Sequence, residues 1–189
     1  MSKPTSGPLR WTKGEEHALL KTRVLEVWSR HYTHPGRGAG RDFVVVKAPD
    51  WVNVLALTPD GKLVLVKQFR HGIDDFSLEV PGGVVEEGED PVAAGVRELQ
   101  EETGYAGHGA RLLASIHPNP AIQDNHCKVV LVEGVVPSGT TDWDSDEEIE
   151  VSVVPVEEVL AAARSGKITH SLTLVALFHL ESLRPVKGW

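Results

Sequence analysis

Glu98, Glu101 and Glu102 stand at i, i+3 and i+4 within a stretch of helical periodicity, so three carboxylates share one face. Each like-charge pair at this spacing costs about 0.2–0.5 kcal/mol in an isolated helix, and more where the face lines a cleft of low dielectric. On sequence alone, no cation on that face is placed to balance all three. A divalent cation would remove the repulsion. Oxygen ligands with neither Cys nor His among them suit a hard ion, Mg2+ or Mn2+, and Mg2+ takes part of its shell from water and substrate phosphates. The same glutamates would also make a solvated acidic face, and the helix by itself leaves both readings open.

Around this helix the chain has to supply a frame. Val92, Val96, Leu99 and Thr103 recur at helical spacing, Asp90 is suited to cap the start with Pro91 at the first helical position, and Gly104 suits a left-handed end, so a helix is expected over 90–103. The first twenty residues hold Pro4, Gly7, Pro8 and Gly14 without periodicity and are expected to form an arm. Thr22 to Tyr32 and Asp42 to Lys47, on either side of His34-Pro35-Gly36, read as an extended hairpin. Trp51 to Leu57 and Lys62 to Gln68 flank the turn Thr58-Pro59-Asp60-Gly61 and read as a second pair of strands. Further strands are expected at Phe76 to Val80, Arg111 to Ile116, His126 to Gly134 and Glu150 to Val154, and closing helices at Val156 to Ser165 and His170 to Leu183. A mixed sheet with few helices implies α+β or a three-layer α/β/α arrangement. The expected division is an arm over 1–20, a β hairpin over 21–48 and the main domain over 49–189.

The stretch Gly83 to Tyr105 resembles the Nudix box, G-x5-E-x7-R-E-U-x-E-E-x-G-U with U bulky and apolar. Gly83, Glu89, Arg97, Glu98, Leu99, Glu101, Glu102, Gly104 and Tyr105 fill its nine specified positions within 23 residues, without a departure. The resemblance implies a Nudix α/β/α sandwich with a mixed sheet and an N-terminal antiparallel β extension. It implies a loop-helix-loop that binds Mg2+, or Mn2+, and hydrolyses a nucleoside diphosphate linked to a further moiety. Glu98 and Glu102, one turn apart, are the implied direct ligands, with Glu101 as a further one and a backbone carbonyl from Gly82 or Gly83. The metal would neutralise and orient the diphosphate and lower the pKa of a bound water for in-line attack. Arg97 would pair with a carboxylate such as Glu89 and hold it in place, or else make only a surface salt bridge.

Outside the box, Val66-Lys67-Gln68-Phe69-Arg70 and Leu78-Glu79-Val80-Pro81-Gly82-Gly83 resemble the ADP-ribose and nucleotide-sugar pyrophosphatase branch of that family. There the residue matching Arg70 contacts the diphosphate, the one matching Glu79 helps hold metal or substrate, and Pro120 matches a proline downstream of the box. Arg70 read without the resemblance is a solvated strand end. The acidic loop Asp142 to Glu148 matches a loop that carries a catalytic base, assigned to Glu147 with Asp146 and Glu148 as alternatives; a plain exposed acidic loop is the other reading. Gly166-Lys167-Ile168-Thr169-His170-Ser171 resembles the branch's C-terminal end. The N-terminal hairpin resembles an extension that makes a homodimer, and Trp28, Phe43 and Trp51 are candidates to stack on the base, each equally suited to a core. His117, His126 and Cys127 are expected to be structural.

Composition excludes several other classes. With Lys+Arg 19 against Asp+Glu 27 the net charge is −8, which disfavours electrostatic binding to nucleic acid and requires a local cation for an anionic substrate. One cysteine, Cys127, makes neither an internal disulfide nor a cysteine zinc site, and none of the nine histidines falls in an H-x-x-x-H frame. Met1 to Lys13 lacks a signal-peptide pattern and the apolar run Leu172 to Leu180 is too short to cross a bilayer, so a cytoplasmic protein without membrane contact is expected. The expected reaction is Mg2+-dependent cleavage of ADP-ribose or a related nucleoside diphosphate sugar such as GDP-mannose. The alternatives are a Nudix nucleoside triphosphate pyrophosphatase and a catalytically silent nucleotide sensor.

Overall fold

A computed structural model describes residues 7–143 and 148–183 of the chain. They divide into a unit made of the chain up to Ala48 with Asn119–Asn125, and a second unit of Pro49–Pro118 with the chain from His126 onward.

The first unit is a three-stranded antiparallel sheet, β1 (Thr12–Lys21), β2 (Glu26–Thr33) and β3 (Gly40–Lys47), with β2 in the centre. The arm expected over residues 1–20 is therefore, from Thr12 onward, a strand. Nearly every residue of β1 is exposed, so it has no buried face and no period-2 signature. Its place comes from ladder pairing with β2 and from Glu16, whose carboxylate meets Lys13, Arg30 and Lys47. Among the described residues of this unit no apolar side chain is fully buried, whereas Leu19, Leu20, Val24 and Val44 are more than half exposed.

In the second unit the sheet runs β6 (Asp75–Glu79), β5 (Lys62–Arg70), β4 (Trp51–Leu57), β8 (Cys127–Pro137), β7 (Tyr105–Ile116), with β9 (Glu150–Pro155) paired to β5. Only β4 and β8 pair in parallel, so the sheet is mixed as expected. Alternation along the strands sorts the core. Val52, Val54, Ala56, Val64, Val130 and Val132 face α1 (Pro91–Thr103), while Leu55, Leu63, Leu65, Val129 and Leu131 face α2 (Val156–Arg164) and α3 (Ser171–Ser182). The result is an α/β/α sandwich. Among the described residues no helix is long and apolar enough to cross a membrane.

Two expectations on strands need correction. β4 and β5 do flank the turn at Thr58–Gly61, but they pair only at Leu57 and Leu63; β9 takes six positions along β5 instead. The edge of β4 thus vacated is used by the chain at Pro81–Gly83, where Val54 N donates to Pro81 O at 2.7 Å and Val52 N to Gly83 O at 2.9 Å. β7 begins at Tyr105, before the expected Arg111, because its first half contains register shifts that erase the alternation.

Candidate active site

The helix that carries the three glutamates is held at both ends by local chemistry. Asp90 accepts from Val92 N and Ala93 N, Pro91 fills the first turn, and Gly104, at φ 70, caps the end through Gln100 O. The loop before it is pinned to β4 as described. Glycine is required at position 82, where a Cβ would overlap the backbone oxygen of Val52, while at Gly83 a Cβ would meet the Glu98 carboxylate and push that side chain aside. The backbone of this shelf consequently lies directly against the acidic face.

A cleft of about 430 Å3 forms between shelf and helix, lined by Gly82, Gly83, Glu98, Glu101 and Glu102 with Arg97, and at its rim by Asp142 and Trp143. Arg97 is the cation that meets this face, and it reaches two of the three glutamates. Its Nη1 donates to Glu98 Oε1 at 3.0 Å and Glu101 Oε2 at 2.9 Å, while Nε and Nη2 grip both oxygens of Glu89 at 3.0 Å. Glu102 is only 4 % exposed, and its Oε2 accepts the Gly82 N–H at 2.9 Å. Hydrogen bonds to Glu89 and Glu101 raise the Arg97 pKa, and the bidentate grip of Arg97 holds the Glu89 carboxyl below its ordinary value. One guanidinium serves three carboxylates, Glu89, Glu98 and Glu101. The acidic loop starts from this helix end: Asp142 N donates to Glu101 O and Trp143 Nε1 to Glu102 O, both at 2.9 Å.

Among the described residues no three His, Cys, Asp or Glu side chains stand arranged to hold a metal ion. The carboxylates are turned onto Arg97 and onto the Gly82 amide, which accounts for that arrangement. The chemistry of the set nevertheless fits a hard cation, because Glu98, Glu101 and Glu102 bring only oxygens into one cleft against the Gly82–Gly83 backbone.

On the other side of the shelf a cavity of about 290 Å3 is lined by Trp51, Asn53, Arg70, Glu79, Gly82 and His170, among others. Arg70, at the end of β5, stands opposite Asp75 in the strand register and Glu79, at the end of β6, opposite Val66, so it is the long Arg70 side chain that spans the ladder to Glu79. Arg70 Nε donates to Glu79 Oε1 at 2.9 Å and Nη2 to Oε2 at 2.7 Å. Glu79 is 2 % exposed, and burial alone would raise its pKa; the two Arg70 bonds and their charge outweigh burial and lower it. A second cavity, about 700 Å3, shares Arg70, Glu79 and His170 and extends to Phe69, His71 and Ile73.

Sequence reasoning missed Asn53 and His170 as members of this wall. Asn53 is a polar residue inside an apolar strand, which was the one signal available. The candidates Trp28, Phe43 and Pro120 lie in the first unit: Trp28 under the Lys47 ammonium at 3.5 Å, Phe43 edge-on to Trp11 and Tyr32, and Pro120 in the turn at Asn119–Gln123. Glu147 and Asp146 lie outside the described residues. Cys127 is buried and its thiol is pushed up to about 12, by burial first and by Asp50 second.

The family model described as the NUDIX domain matches residues 47–172. The chain belongs to the Nudix family. It is 34 % identical over 165 residues to an ADP-ribose pyrophosphatase of Bacillus subtilis (strain 168), covering 86 % of this chain and 88 % of that one. It is 43 % identical over 125 residues to an ADP-sugar pyrophosphatase of Mus musculus, covering 65 % of this chain and 55 % of that one. A solved crystal structure of an ADP compounds hydrolase superposes with a TM-score of 0.83 at 18 % identity over 95 % of this chain and 96 % of that one, which establishes the Nudix fold. The expected fold class and the enzyme class, a hydrolase of pyrophosphate bonds, are those of the Nudix relatives.

Proposed function

We propose that this Nudix chain hydrolyses the diphosphate bond of ADP-ribose or a related nucleoside diphosphate sugar, GDP-mannose included, to a nucleoside monophosphate and a sugar phosphate. One observation carries the reading: the carboxylate cleft and the Arg70–Glu79 cavity share Gly82, Gly83 and Val84 as a common wall. A diphosphate lying across that shelf meets the two sites at once. The names of the ADP-ribose and ADP-sugar pyrophosphatase relatives support the adenosine diphosphate members of that class.

Glu98 and Glu102, with Glu101 and the Gly82 carbonyl, would hold Mg2+ or Mn2+, which when bound supplies charge neutralisation and a more acidic water. Arg97 keeps Glu98 and Glu101 oriented and is itself fixed by Glu89. Arg70, locked flat by Glu79, offers a guanidinium to phosphate oxygens. Water attacks phosphorus in line, and a carboxylate of the acidic loop, Glu147 in this reading, takes its proton. The anchoring of Asp142 and Trp143 to the end of α1 supports that role, since it starts the loop at the rim of the cleft. Trp51 is the favoured base-stacking residue because it lines the cavity, while Trp28 and Phe43 pack inside their own unit.

Two further parts belong to this proposal. The N-terminal sheet makes a homodimer, supported by its exposed Leu19, Leu20, Val24 and Val44 and by the absence of a fully buried apolar side chain among its described residues. The protein works in the cytoplasm, consistent with a lone buried thiol.

The test is product analysis with ADP-ribose, GDP-mannose and dGTP, each with Mg2+. AMP and ribose 5-phosphate from ADP-ribose are expected. Pyrophosphate released from dGTP as the dominant product would replace the substrate class, and ADP-ribose binding without turnover would make the domain a sensor.

A further inference from the structure

His170 sits at the start of α3, where its side chain lines both cavities on the Arg70–Glu79 wall. One ring nitrogen is occupied inside the protein: Nδ1 is 2.9 Å from Thr173 Oγ1 and 3.5 Å from Glu79 Oε2. Thr173 is fully buried, and its hydroxyl oxygen also accepts the Val80 N–H at 3.3 Å, so the ring is tied to the strand end that runs into the glycine shelf. The other nitrogen, Nε2, has no hydrogen-bond partner among the described residues, and the side chain remains 28 % exposed. Burial, ahead of any other influence, lowers the imidazole pKa, which favours the neutral ring.

Asn53 lines the smaller cavity as well. It is 6 % exposed and its Nδ2 has no partner among the described residues, whereas buried donors in folded proteins are almost always paired. The charged groups beside His170 are the Glu79 carboxylate and the Arg70 guanidinium bound to it, a pair without net charge, and the carboxylate can accept from a hydroxyl. A hydroxyl also suits a neutral imidazole in either tautomer, because it both donates and accepts. The geometry points to His170 as a further substrate-contacting residue, whose Nε2 hydrogen-bonds a hydroxyl of the sugar carried on the diphosphate. This rests on the pyrophosphatase reading and names the group that selects a sugar over a non-hydroxylated moiety.

The test separates the two ring nitrogens. KM and kcat are measured for ADP-ribose with the unaltered chain and with His170→Ala, His170→Asn and His170→Gln, and thermal midpoints report whether each folds. The Asn amide replaces Nδ1 only, while the Gln amide reaches the place of Nε2. His170→Ala and His170→Asn are expected to raise KM about tenfold, the size of one hydrogen bond, with kcat held within about twofold. His170→Gln is expected to stay within about threefold of the original KM. With an ADP ester whose second group is a plain methyl, all forms should share one KM. If Asn preserves the KM and Gln does not, the ring positions Glu79 through Nδ1 and the inference is overturned; an equal KM in every form overturns it too. Should Ala fail to fold, the Asn and Gln pair decides alone. Failure of the unaltered chain to cleave any nucleoside diphosphate derivative sinks the pyrophosphatase reading itself, whereas cleavage indifferent to residue 170 sinks only the role of His170.

Discussion

The two sides of the Gly82–Gly83 shelf solve opposite electrostatic problems. On the helix side one guanidinium, Arg97, is spread over Glu89, Glu98 and Glu101, with Glu102 on a backbone amide, so negative charge is left in excess. On the strand side one guanidinium, Arg70, meets one deeply buried carboxylate, Glu79, in a bidentate pair that is neutral overall. The first arrangement carries negative charge in excess of its one guanidinium, and the second is balanced within the protein. Loss of charge should therefore damage catalysis on one side and stability on the other.

The largest expected effect is on the helix side. Removing divalent ions with a chelator should abolish turnover and adding Mg2+ should restore it; turnover that survives chelation would mean the excess carboxylates serve no cation. Glu102→Gln keeps an acceptor for the Gly82 N–H and should still fold, yet lower kcat by several orders of magnitude, as steady-state kinetics would show. Arg97→Ala should cost about 10–100-fold in apparent Mg2+ affinity, measured by titrating activity with the ion, since it frees the carboxylates it orients.

On the strand side the balance reverses. Arg70→Ala leaves Glu79 buried without its bidentate partner and should lower unfolding free energy by about 1–3 kcal/mol in denaturant titration, besides raising KM. A stability loss larger for Arg97→Ala than for Arg70→Ala would break the comparison. The smallest effect concerns pH. Glu79 and Glu89 have folded pKa values below the ordinary 4.5, so their stabilisation is present above that pH and is lost as pH falls through the depressed folded values. Stability should decline below about pH 5, and the gap between the original chain and Glu79→Gln should narrow there.

How much of this was legible in the sequence depended on range. Asp90, Pro91 and Gly104 bracket a helix whose ends they set by local bonds, and the pattern from Gly83 to Tyr105 lies within that helix and its loops. The pairing of Arg97 with Glu89 spans eight residues across the same segment and was equally readable. β1 escaped because an exposed strand has no apolar rhythm, and the first half of β7 because register shifts disturb it. That β9 rather than β4 runs along β5 is a competition between distant strands, which no local window records.

From its amino-acid order alone this chain specified the carboxylate helix, the glycines that let backbone approach it, and an all-oxygen donor set of the type that suits a hard cation, because short-range spacing on one helix determines which side chains coincide. Tertiary structure decided the rest. The parallel pairing of β4 with β8, the docking of Pro81–Gly83 on the open edge of β4, and the arrival of α3 with His170 beside Glu79 all join residues far apart in the chain. Contacts of that kind exist only once the two faces of the sheet are buried, so the Arg70–Glu79 side of the shelf is a product of packing.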